Sequence, residues 1–209
     1  WVNAAMIKIL MVFLNIDYQT AFIYIAILMV LIAIYSTLSG LLGVAITDAL
    51  QFVLAMGGCI VLAVIMLNSD QVGGIEGLKS KLPEWQMNFF PTIGEGTNDI
   101  GTFGLTIGAF FSFIAIQWWA SWYPGNEPGG GGYISQRMMS TKSEKDAIFA
   151  TLFFQIAHYA LRPWPWIIIG LCAVVVYPNL AMNEAGNGFV MAMRDFMPVG
   201  LRGLLFTAF

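Results

Sequence analysis

Long apolar runs alternate with short polar breaks along this chain. Residues 20–35 (TAFIYIAILMVLIAIY) carry no charge, and residues 44–67 (VAITDALQFVLAMGGCIVLAVIML) carry one. Residues 100–123 and 147–177 continue the pattern. A bilayer core of ~30 Å takes roughly 20 apolar residues in a helix, so the four stretches predict membrane spans. Residues 3–14 (NAAMIKILMVFL) are too short to span and predict the end of a truncated helix or an interfacial piece. Residues 198–209 (PVGLRGLLFTAF) predict the start of a further apolar helix.

The breaks are informative in their own right. Residues 15–19 form a short polar turn, and Ser36 to Gly43 (STLSGLLG) reads as a tight loop between helices or as small residues allowing close helix contact. Residues 68–99 make a long polar loop whose Trp85, Phe89 and Phe90 suggest a place against the membrane face; its IEGLKSKLPEW part predicts a short interfacial helix. In TKSEKD, Thr141 or Ser143 caps the following helix, with Glu144 and Asp146 near its positive end. Pro163 and Pro165 predict a kink at ALRPWPW. Residues 179–202 are irregular, with an amphipathic segment at 189–197 (FVMAMRDFM).

The most unusual break follows the third span. GLTIGAFFSFIAIQWWASWY runs into PGNEPGGGG, so a membrane-length helix loses its regularity around Pro124, Pro128 and Gly129 to Gly132. Gln117, Trp118, Trp119, Ser121, Trp122, Asn126 and Glu127 crowd this point. Irregular backbone at membrane depth is tolerated only against protein or a watery cavity, and a broken helix rich in polar and aromatic groups points to a transport site. A helix ending in a Gly-rich loop is the plainer alternative.

Ionisable residues inside spans are the other candidates. Asp48 lies in the second span with Thr47 beside it, and Gln51 follows three residues on, on the same helix face. An acid there marks an ion path, or caps a hydrated helix edge. Arg162 lies within the fourth span beside Trp164, with His158 four residues before it. The arginine either snorkels to an interface or meets a functional partner.

Composition narrows the class. Of 209 residues 58% are hydrophobic and 10% charged, against about 25% charged in soluble domains; the chain is expected to be an integral, multi-pass membrane protein with the lipid bilayer as partner. A net charge of −3 without a basic cluster argues against nucleic acid. Cys59 and Cys172 sit in apolar runs and give neither a disulfide framework nor a CxxC metal spacing, and one histidine cannot form a His-based metal cluster. Gly94 to Asp99 (GEGTND) lacks the GKS/T ending of a phosphate loop. No hydrolytic arrangement or haem motif is readable, so an enzyme is not expected. The short basic loop with Arg137, Lys142 and Lys145 is expected on the cytoplasmic side. The apolar runs at both ends suggest a piece of a longer polypeptide, whose remainder would complete the fold.

Three segments together resemble the sodium:solute symporter family, the group of sodium–sugar and sodium–proline carriers. IYSTLSGLLGVAITDALQ (Ile34 to Gln51) resembles Y-(S/T)-x-x-G-G-L-x-A-V-x-x-T-D-x-x-Q. GGYISQRMMSTKSEKDA (Gly131 to Ala147) resembles N-Q-x-x-x-Q-R-x-x-(A/S)-x-K-(S/D), and FMPVGLRGLLFTAF (Phe196 to Phe209) resembles (L/M)-P-x-G-L-R-G-L-x-x-A. Ser39 stands where the family has its first glycine, and Gly131 and Gly132 replace the Asn-Gln pair. The resemblance implies an all-α membrane protein, part of a LeuT-type inverted-repeat transporter covering about core helices three to eight. It implies sodium-coupled symport of a small polar solute by alternating access, with Na+ as coupling ion and no other cofactor. Asp48, Thr47 and Gln51 would serve the cation path. Gln117, Trp118, Trp119, Trp122, Asn126 and Glu127 would line the substrate path and gate. The main sodium site, built on core helices one and eight, would lie largely outside these residues. A bacterial inner or plasma membrane is the expected location. A symporter-like solute-sensing domain of a membrane receptor is the alternative function.

Overall fold

The computed structural model describes residues 2–88, 92–93, 104–117, 132–180 and 182–207. These residues are helical apart from one two-residue parallel pair, and they divide into two compact units, Trp1–Leu78 with Trp164–Phe209, and Lys79–Pro163.

The first unit is organised on one long helical run that is kinked at Gly40. α1 (Val2–Leu14) ends at Asn15, whose φ of 54° turns the chain. Asp17 then caps α2 (Tyr18–Leu67). Its carboxylate accepts the Thr20 hydroxyl at 2.6 Å and the backbone N–H groups of Gln19 and Thr20 at 3.0 and 3.2 Å. These bonds, the Thr20 hydroxyl first, hold the carboxyl below its ordinary value. Ile7 and Leu10 of α1 are buried with Ala21 and Ile25 of α2, and Phe206 packs on the same cluster. Phe13 stacks on Phe206 with ring centres 4.4 Å apart.

The far half of α2 is anchored by different contacts. Gly58 faces Leu205 of α10 (Val199–Thr207) so closely that a Cβ on the glycine would come within 2.7 Å of Leu205 Cδ1. Small residues at such a crossing let helices approach in the absence of a hydrophobic drive from lipid. Trp166 of α8 (Pro163–Val176) donates its indole N–H to the buried Cys59 Sγ at 3.2 Å. α9 (Gly188–Phe196), preceded by a 3₁₀ turn at Met182–Asn187, buries Val190, Ala192 and Met193. The amphipathic pattern of FVMAMRDFM thus forms a docked helix. The Arg194 guanidinium reaches the Val12 carbonyl at 3.5 Å and pairs with Asp195 at 2.8 Å, while the Tyr177 hydroxyl donates to Asp195 at 2.9 Å.

The second unit holds shorter pieces. α3 (Gly74–Lys81) ends in it, and α4 (Glu84–Met87) follows; IEGLKSKLPEW is therefore two short helices separated by Pro83. β1 (Thr92–Ile93) pairs with β2 (Gly104–Leu105). Thr106 caps α5 (Ile107–Ser112), which passes into a π-helical turn at Phe113–Gln117. α6 (Gly132–Met139) precedes α7 (Glu144–Gln155), whose N-cap is Ser143, with its hydroxyl accepting the Asp146 N–H at 3.2 Å. A second π-helical turn, Ile156–Leu161, follows α7.

Among the described residues two helices are long and apolar enough to cross a membrane, Tyr18–Leu67 and Glu144–Val176. Phe22, Ile27, Val30, Leu31 and Ile32 of α2 are exposed, an apolar outer face that suits lipid or further protein rather than water. Over Ser36–Gly43, where the sequence suggests a tight loop or a close helix contact, two helical stretches meet in a kink at Gly40, the one residue inside Tyr18–Leu67 with non-helical dihedrals (φ 64°, ψ −173°). Glycine has no Cβ to clash in that conformation.

Candidate functional site

Two breaks in membrane-length helices each gather polar groups. The first is the Gly40 bend. Five residues before it, Tyr35 reaches across, its hydroxyl 2.7 Å from Thr47 Oγ1 and donating to the Gly43 carbonyl at 3.3 Å. Thr47 Oγ1 also lies 3.0 and 2.9 Å from the carbonyl oxygens of Gly43 and Val44. Thr47 back-bonding to the preceding turn is a recognised source of helix bending. Ser39 presses on Gly43, where an added Cβ would come within 2.5 Å of the serine Cβ, and the buried Ser39 Oγ has no hydrogen-bond partner. The bend is thus lined by neutral hydroxyl and carbonyl oxygens, hard donors of the kind that hard cations use.

Of the three predicted cation-path residues, the bend takes in Thr47. Asp48 and Gln51 are exposed on the helix that leaves it. Tyr35 is the participant that spacing alone does not reveal; its signal is its position as the first residue of the Tyr-Ser-Thr-Leu-Ser-Gly stretch.

The second break lies near the middle of Glu144–Val176. The backbone N–H of Arg162 bonds to the carbonyl of Ala157, five residues back, at 3.0 Å. That widened turn ends where Pro163 and Pro165, lacking N–H groups, withdraw two donors from the helix. His158 is half-buried, and its Nδ1 lies 3.3 Å from Arg162 Nη1. Phe154 stacks on the imidazole at 5.2 Å, and Tyr159 meets it edge-on at 4.8 Å. A guanidinium has only donors, so in this contact Nδ1 is the acceptor. The predicted kink is therefore a π turn, a feature that recurs at functional sites.

The predicted substrate-path residues lie around a third position. Gln117 closes the Phe113–Gln117 π turn. Trp118, Trp119, Trp122, Asn126 and Glu127 lie outside the described residues. Among the described residues no group of three or more His, Cys, Asp or Glu side chains is placed to hold a metal ion.

The model of the sodium:solute symporter family matches residues 3–209. The chain belongs to that family. No curated protein and no solved structure matches it. Members of the sodium:solute symporter family are integral membrane transporters rather than enzymes, moving solutes coupled to sodium. Two long apolar helices agree with a bilayer environment. The family match takes in both described helix breaks and the Gln117 turn.

Proposed function

We propose that this chain forms part of a multi-pass, LeuT-type inverted-repeat symporter in a bacterial inner or plasma membrane. It couples Na+ entry to uptake of a small polar solute by alternating access. The family match over residues 3–209 is the observation that carries this reading. The helix breaks support it, because a transporter needs polar backbone and side-chain groups inside the bilayer that lipid-facing helices avoid. An ion shifts the outward–inward equilibrium only through different affinities for the two states.

In this reading Asp48, with Thr47 and Gln51, forms part of the cation path. Gln117, Trp118, Trp119, Trp122, Asn126 and Glu127 line the solute path and its gate, where indole faces stack on the solute and the amide hydrogen-bonds to it. The main sodium site is completed by residues beyond these 209. Sodium-gradient uptake by the full-length protein in proteoliposomes tests the assignment. Asp48→Asn should weaken sodium dependence while the amount of inserted protein holds; equal loss of both would mark a structural acid. Gln117→Ala and Trp118→Ala should raise the half-saturating solute concentration, and unchanged kinetics in both would remove them from the path.

A further inference from the structure

In the second unit, α7 carries a stripe that neither the cation path nor the predicted gate uses. Lys145, Ile148, Phe149 and Leu152 follow one another at helical spacing, so they share one face. Ile148, Phe149 and Leu152 are exposed at 66%, 58% and 52%, and Lys145 is exposed at the head of the stripe. The Lys145 ammonium lies 5.9 Å from the centre of the Phe149 ring, a contact that keeps the charge at the top of the apolar surface. Lys142, in the turn just before the helix, is exposed as well. We infer that Lys142 and Lys145, above Ile148, Phe149 and Leu152, form a binding surface for an anionic phospholipid.

Charge and apolar surface together select the occupant. An acidic soluble partner would meet the lysines and leave three apolar side chains in water. A zwitterionic lipid would cover those side chains and bring no net charge to the two ammonium groups. An anionic phospholipid does both, with its headgroup at the lysines and its acyl chains along the stripe. Leu152 is seven residues below Lys145, about 10 Å along a helix, which places it at acyl-chain depth under such a headgroup. The nearby carboxylates stand off this line. Glu144 and Asp146 are rotated by about 100° to either side of Lys145, and Asp146 accepts the Ser143 hydroxyl at 2.8 Å. The turn that carries Lys142 is tied down locally. The Ser140 and Thr141 hydroxyls donate to the carbonyls of Arg137 and Met138, each at 2.7 Å.

This inference needs the bilayer and not the coupling to sodium, so the failure of either leaves the other standing. The test uses the full-length protein in proteoliposomes, with a bimane fluorophore on Leu152→Cys; Cys59 and Cys172 are buried, which leaves the label to the introduced thiol. Phosphatidylglycerol or phosphatidylcholine, each brominated on its acyl chains, is titrated in as quencher. Half-quenching should need less phosphatidylglycerol than phosphatidylcholine, by about fivefold for each lysine and about tenfold or more for the pair. Lys142→Gln and Lys145→Gln should each lower that preference, and the double variant should abolish it. Raising KCl from 0.1 to 1 M should also weaken it in the unsubstituted surface, since the screening length falls from ~10 to ~3 Å; this arm decides the matter if the glutamine variants fail to insert. The same label on Val30→Cys, an exposed position of α2, should show no preference. Equal quenching by the two lipids at Leu152→Cys overturns the inference, as does a preference that survives both glutamine changes or appears equally at Val30→Cys. Quenching by neither lipid would mean that protein covers this face, and overturns it too.

Discussion

The two described helix breaks depart from the α-helix in different ways. At Gly40 the dihedrals leave the helical region, with φ at +64°. At Ile156–Leu161 the residues at the ends of the turn stay helical: Gln155, Ile156 and Arg162 keep φ between −59° and −65°, while the hydrogen-bond register changes. The first break needs a particular residue, because an L side chain at that φ is strained. The second places no such demand on its backbone, so its side chains answer to other requirements. The first is lined by neutral oxygens and the second by a cation on an aromatic support. A bend that only glycine allows, clamped on both arms, is expected to be fixed in shape, and a register shift to be convertible by moving one hydrogen bond along.

The fixed bend depends on its two arms being clamped. Ile7 and Leu10 hold one arm through α1, and Leu205 and Trp166 hold the other. Leu205→Ala should therefore have the largest effect, a loss of about 2–5 kcal/mol through the cavity left beside Gly58. Thermal unfolding of the detergent-solubilised protein measures it. A loss no larger than that of an exposed residue such as Leu204→Ala would show that the far arm is not anchored at this crossing.

Gly40→Ala comes next, at about 1–3 kcal/mol, because φ of 64° with ψ of −173° is a backbone region essentially confined to glycine. The space around Gly40 is open, with nothing within 4 Å of an added Cβ, so a steric clash would not confuse the result. Alanine substitution at Ile156, in the register-shifted turn, carries no such backbone cost. If Gly40→Ala is neutral, the bend does not depend on glycine and the contrast between the two breaks fails.

How much of this was legible in the sequence follows the same division. The Ser39-Gly40 pair and the flanking apolar runs mark a point of weakness, yet they do not separate a loop from a bend within a 50-residue helix. That difference is decided by Tyr35 and Thr47, which are twelve residues apart and meet only once the bend exists. Prolines 163 and 165 mark the second break. The π turn lies on their N-terminal side, because it is the carbonyls before a proline that lose a donor. Ser143 and Asp17 capping is local chemistry and reads from a few residues, whereas Gly58 against Leu205 is a contact across 147 positions that periodicity cannot reveal. The predicted solute-path tryptophans, Asn126 and Glu127 lie outside the described residues, so their grouping rests on sequence.

The hydroxyl contact across the bend sharpens the comparison further. Tyr35→Phe and Thr47→Val each remove one side of the 2.7 Å bond, worth about 0.5–1.5 kcal/mol as a neutral pair. In a double-mutant cycle the two losses should be less than additive, since either change breaks the same bond. Strict additivity would mean that the two hydroxyls act separately and that the bend is held by glycine alone.

The smallest expected effect concerns a charged contact that belongs to neither break. Asp195 is held below the ordinary carboxylate value, first by the Arg194 guanidinium and then by the Tyr177 hydroxyl, with burial opposing them. A lowered folded-state value means that the unfolded chain takes up the proton more readily. The stabilisation is therefore complete at neutral pH and disappears as the pH falls through the lowered value, on the acid side of the ordinary carboxylate range. The pair is more than a third exposed, at 40% and 38% for the two side chains, so screening by water keeps it within about 1 kcal/mol. Asp195→Asn should remove that part of the acid-side decline in stability while leaving the neutral-pH value lower by the same small amount. An acid limb that keeps its slope in Asp195→Asn would place the titrating group elsewhere. The clamp on α9 would then rest on its buried Val190, Ala192 and Met193 instead, making this helix, like the far arm of α2, a product of packing rather than of charge.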